Sequence, residues 1–173
     1  MIEKDYWKDY EVVLGPPDDD EPIAFSMHGE KQEDFRIKMS SAFLNAKGFL
    51  ENAEKISGDS KIVLCALSCE LFMKAIIMKK QNRVVRGHDL YLLYDELGDS
   101  EKDFLFCAQM GKFKEDQLNQ MIDEFFDALM INARVFETIR YKHEYQAIVW
   151  YEGFLYVLAH NLSVLGDEIN NEK

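Results

Sequence analysis

Proline is confined to one end of this chain: Pro16, Pro17 and Pro22 are its three prolines, and the 151 residues after them contain none. A proline inside a helix loses a backbone hydrogen bond and clashes with the preceding turn, so a long stretch without proline leaves helices free to form. The apolar spacing fills that space. Between Asp34 and about Lys55, Phe35, Met39, Ala42, Phe43, Ala46, Phe49, Leu50 and Ala53 recur at i, i+4, i+7 and i+8, one stripe of an amphipathic helix. The run from Ile62 to Met78 is apolar nearly all round, with Glu70 and Lys74 as its charges, which predicts a helix at the centre of a bundle.

Further helices follow at the same period. Gly58-Asp59-Ser60 supplies a stop and a new N-cap, and Asp89 caps a short helix carrying Leu90, Leu93 and Leu97. Ser100 and Asp103 resemble a capping box for a segment ending near Met110. Leu118 to about Arg140 reads as one long helix, and Tyr151 to Ile169 as the last. Gly48 and Gly153 fall inside predicted helices, where each costs about 1 kcal/mol relative to alanine, so close helix crossings are expected there. The expected fold is all-α, an antiparallel bundle of about five helices over residues 34–173, behind an irregular acidic arm at residues 1–33.

With 173 residues and 47% hydrophobic content, the chain has enough apolar surface for one domain with its own core. The N-terminus is charged where a secretory leader needs an apolar run, and the most membrane-like window, 147–165, contains Glu152, His160 and Asn161. A cytoplasmic protein without a membrane span is expected. Three cysteines lack any metal-binding spacing. Cys65 and Cys69 share a helix face without a nearby histidine and read as core residues. There is no Glu-x-x-His pair for a di-iron site and no phosphate-binding glycine loop, so no cofactor is expected.

The net charge of -12 is unevenly spread, because residues 1–34 hold 11 Asp/Glu against 3 Lys/Arg. From Lys74 to His88 the chain carries Lys74, Lys79, Lys80, Arg83 and Arg86 with no acidic residue, a stretch that can hold phosphate. Several short motifs accompany it: Glu70-x3-Lys74 on the central helix, Arg86-Gly87-His88-Asp89-Leu90 after it, then Ala133-Arg134 and Arg140-Tyr141-Lys142-His143 late in the chain. In this order and spacing, over about residues 35–165, they resemble the HEPN family of small helical domains.

That resemblance implies engagement of RNA or a nucleotide in a bacterial defence or stress system of the toxin–antitoxin kind. It also implies a homodimer, an antitoxin or other protein partner, and metal-independent ribonuclease activity from a late Arg-x4-6-His motif. Histidine moves protons near neutral pH and arginine stabilises charge developing on phosphate. By resemblance Arg140 and His143 are the catalytic pair, although Arg140-x2-His143 is shorter than the family spacing. Glu70, Lys74, Arg83, Arg86, His88, Asp89 and Tyr141 are the binding or positioning residues. Arg83-x4-His88 also matches that spacing, but it falls in the connection after the central helix, where a chance match is the simpler reading.

Each of these residues also has a plain structural reading. Glu70 and Lys74 make an i, i+4 ion pair, His88-Asp89 a turn with a cap, and Arg140 to His143 a basic helix end. His160 reads as a hydrogen-bonded core or interface residue. On that account the protein is a non-catalytic helical module that dimerises or binds another protein.

Overall fold

A computed structural model of the chain describes residues 31–111, 115–140, 142 and 150–171. The acidic arm lies outside them except for its last residues, which already belong to the first helix. That helix, α1 (Lys31–Ala53), is followed by α2 (Asp59–Gln81), α3 (Leu90–Asp95), α4 (Asp99–Met110), α5 (Leu118–Asn132), α6 (Val135–Arg140) and α7 (Glu152–Asn171). No strand occurs among the described residues, and no helix is long and apolar enough to cross a membrane. The all-α bundle expected from the apolar spacing is what forms.

The nearly uniform apolarity of α2 puts it in the middle, packed by α1 on one side and α7 on another. Phe72, Met73 and Ile77 are fully buried, and Phe43 of α1 meets Phe72 edge-on with ring centroids 5.3 Å apart. Two polar bonds fix the seams: Ser68 Oγ donates to the Ala46 carbonyl at 2.9 Å, and Lys47 Nζ reaches Asp167 Oδ1 at 2.7 Å. A second packing centre surrounds Phe125 of α5, whose ring lies 5.4–5.5 Å from those of Tyr94, Phe106, Phe126 and Phe154. Edge-to-face pairs of this kind add to the area they bury.

Cys65 and Cys69 are buried core residues, as expected of free cysteines without a nearby histidine. Burial pushes the Cys65 thiol up to about 11, with Lys61 opposing, and holds the Cys69 thiol well above its usual range. His160 stands in the α1–α7 seam, its Nε2 3.3 Å from Glu54 Oε1 and its ring 4.5 Å from that of Tyr156.

Three local expectations are corrected. The helix predicted over 118–140 is broken at Ala133-Arg134, although neither residue is a helix breaker. Asn132, fully buried, donates from Nδ2 to the Ala128 carbonyl at 2.8 Å and accepts from the Tyr151 amide at 3.3 Å, while the Ala133 carbonyl accepts from the Leu90 amide at 2.9 Å. Tertiary bonds therefore redirect the chain. The helix expected to be capped by Ser100 starts earlier, with Gly98 as its N-cap. Gly48 and Gly153 are not close crossings, since a Cβ at either would meet nothing within 4 Å. The crossing is at Gly166, where a Cβ would lie 2.2 Å from Phe43 Cε2, so α7 approaches α1 as closely as an alanine would forbid.

Candidate functional site

Halfway along α2 the apolar surface is interrupted by Glu70, which is only 4% exposed. A buried carboxylate is costly unless donors surround it. Glu70 has two: Lys74 Nζ, one turn further along the same helix, donates to Oε1 at 2.8 Å, and His88 Nδ1 lies 3.0 Å from Oε1 and 3.1 Å from Oε2. The Glu70–Lys74 ion pair read from the sequence is thus present, and His88 shares its carboxylate.

His88 arrives there because the connection after α2 turns sharply. Asn82 ends α2 in the left-handed conformation, and Gly87 has φ 97, a backbone state that residues with a side chain rarely adopt. Among the described residues the imidazole that follows is hydrogen-bonded at Nδ1, with its side chain 72% exposed. A carboxylate accepts and does not donate, so Nδ1 carries the proton in this contact and Nε2 is the nitrogen left for a ligand.

Asp89 then performs two tasks. Its Oδ1 accepts from the Tyr91 amide at 3.0 Å and the Leu92 amide at 3.1 Å, capping α3 as the sequence predicted. Its Oδ2 accepts from Arg134 Nε at 3.2 Å, which ties α3 to the turn between α5 and α6. Phe136, two residues further, sets its ring 6.3 Å from the His88 imidazole. One junction therefore holds Glu70, Lys74, His88, Asp89 and Arg134, drawn from the middle of α2, the loop after it and the break in the long helix.

Other predicted residues stand elsewhere. Arg83 bonds Glu96 and, through Nε, Gln81 Oε1 at 2.7 Å, so it serves to fasten the loop to the end of α3. Lys80 Nζ lies 4.0 Å from Glu101 Oε1. The run from Lys74 to His88, unopposed in sequence, is opposed in space by Glu70, Glu96 and Glu101. Arg86 is exposed, two residues before His88. Arg140 ends α6; its side chain, Tyr141 and His143 lie outside the described residues. Lys142 Nζ bonds Asp59 Oδ2 at 2.7 Å. Asp59 opens α2, eleven residues before Glu70, about 16 Å along the axis at about 1.5 Å per residue.

Arg134 is the residue that sequence reasoning left out of the site. It partners Asp89 across 45 positions, and no local pattern announces a pairing of that range.

The arrangement sets the part-exposed guanidinium of Arg134 and an oriented imidazole at one junction, with each cation paired to a carboxylate, Lys74 to Glu70 and Arg134 to Asp89. Arg134 uses one of its five N–H donors on Asp89, and its side chain is 40% exposed. Such a surface suits an anionic ligand with a proton to exchange. Among the described residues no group of His, Cys, Asp or Glu is disposed to hold a metal ion. Comparison with known proteins finds no matching family model, no matching curated protein and no matching solved structure.

Proposed function

We propose that this protein is a HEPN-like bundle that engages RNA or a nucleotide through phosphate, acting in the cytoplasm in a bacterial defence or stress system, with metal-independent RNA cleavage as its activity. The observation that carries this reading is the convergence at one junction of the early motif, Glu70, Lys74, His88 and Asp89, with Arg134 of the separate Ala133-Arg134 element later in the chain. Arg140 and His143, assigned by resemblance, follow in the chain from the same docked turn.

The test is binding of a labelled single-stranded RNA by fluorescence anisotropy across a salt series. Phosphate contacts make log Kd depend on log salt with a slope of about 0.7 per contact on a single strand. Arg134→Gln is expected to weaken binding at least fivefold and to reduce that slope, because a lost phosphate contact removes one released counterion. If the full chain shows no salt-dependent affinity for RNA or for a nucleotide, the reading fails and the partner-binding module takes its place.

A further inference from the structure

We propose that His88 is the proton-transferring residue of this site and that Glu70 is its positioning residue. This rests on the RNA-engaging reading above and departs from the assignment by resemblance, which gave proton transfer to His143.

A surface histidine paired with a surface carboxylate is loosely held, because both side chains are free to move and solvent screens the pair. Here one partner is locked: Glu70 projects from the middle of the central helix, is 4% exposed, and has its carboxylate fixed by Lys74. The imidazole anchored to it is therefore fixed at Nδ1, while its exposed body meets solvent. Phe136 backs the ring at 6.3 Å. His160, the other described histidine, has its Nε2 buried 3.3 Å from Glu54 Oε1 and its ring against Tyr156 one turn earlier on α7. Of the two, His88 has the more exposed side chain, 72% against 41% for His160.

The chemistry closes without a co-reactant. His88 Nε2 accepts the proton of an RNA 2′-hydroxyl, and the 2′-oxygen forms a bond to the adjacent phosphorus. The bond from phosphorus to the 5′-oxygen breaks, and that oxygen takes a proton from water. His88 then returns its proton to solvent, leaving a 2′,3′-cyclic phosphate and a 5′-hydroxyl, with nothing oxidised or reduced. Arg134, bound to the residue next to His88, supplies the positive charge that the crowded phosphorus requires.

The experiment uses the full chain in a metal chelator with a labelled single-stranded oligoribonucleotide and its 2′-O-methyl counterpart. The unmodified strand is expected to be cleaved to a cyclic phosphate end, and the methylated one bound but left intact. His88→Ala should lower the rate by a factor of about 100 or more, the usual worth of a general base, and added imidazole should restore part of it. The variant should fold, because Glu70 retains Lys74. Glu70→Gln, which still accepts a hydrogen bond, should lower kcat with KM little changed, whereas a merely structural role would show as lost folded protein. His160→Ala should keep the wild-type rate. Binding without cleavage would overturn the proposal and the cleavage activity with it, leaving RNA engagement alone; loss of both would overturn both. Cleavage that survives His88→Ala, or imidazole rescue in His143→Ala but not in His88→Ala, would also overturn it.

Discussion

Replacing Asp89 separates the two tasks this side chain performs. Its N-cap bonds to Tyr91 and Leu92 are short and well formed, and losing such a cap to alanine costs typically about 1 kcal/mol. Its pairing with Arg134 joins a side chain 15% exposed to one 40% exposed, at 3.2 Å, which solvent screening reduces to about 0.2–1 kcal/mol. Asp89→Ala is therefore expected to cost about 1–2 kcal/mol, a fall in Tm of about 2–8 °C for a chain of this size. Asparagine caps as well as aspartate. Asp89→Asn should then lose only the charge pairing, under about 1 kcal/mol, and lower Tm by less than about 4 °C. The assay is thermal unfolding at moderate and high salt, since salt screens the pairing and leaves the cap intact. Equal losses in the two variants, or a loss in Asp89→Ala that vanishes in high salt, would refute the division. The docked turn itself should survive in both, because the backbone bond from Leu90 to Ala133 does not involve the side chain.

Gly166→Ala should destabilise by about 1–3 kcal/mol through overpacking against Phe43, whereas Gly48→Ala, with nothing in its way, should stabilise by up to about 1 kcal/mol; both are read from urea midpoints. Phe125→Ala, which empties the centre of the aromatic cluster, should cost about 3–5 kcal/mol and abolish the cooperative transition if the domain is less stable than that. Thiol titration at pH 8 should modify Cys107, which is exposed, well before Cys65 or Cys69. For Cys65, burial raises the folded thiol from 9.0 to about 11, so its share of stability is full below pH 9 and is lost as pH rises from 9 to 11. Cys65→Ala should flatten that part of an alkaline unfolding curve, and an unchanged curve would contradict the assignment.

The bundle was legible because it depends on period. The stripe of α1, the all-round apolarity of α2 and the end of α4 near Met110 are local patterns, and local patterns survive reading one residue at a time. The break after Asn132 was not legible, because its causes are a buried amide and two bonds to distant backbone. Glycine misled in both directions. Gly48 and Gly153 looked like crossings but stand in open space, while Gly166 near the end of α7 makes the one close approach to α1 described above. In the site, the i, i+4 pairing of Glu70 and Lys74 followed from helical geometry alone. The shared use of Glu70 by His88 depends on how the loop returns after α2. The neutralising of Lys80 and Arg83 by Glu101 and Glu96 shows why a sequence run of one charge is a poor guide to local potential.

The central claim is that RNA meets this protein at the His88 junction, and the chain carries its own controls in four histidines: His28, His88, His143 and His160. Imidazole NMR signals of the full chain, followed while a short uncleavable 2′-O-methyl RNA is added, report on each separately. The His88 signal is expected to move furthest, in step with binding, while that of His160, beside Glu54 and Tyr156, stays still. Movement of His160 with His88 unmoved, or saturable binding that leaves His88 where it was, would contradict it.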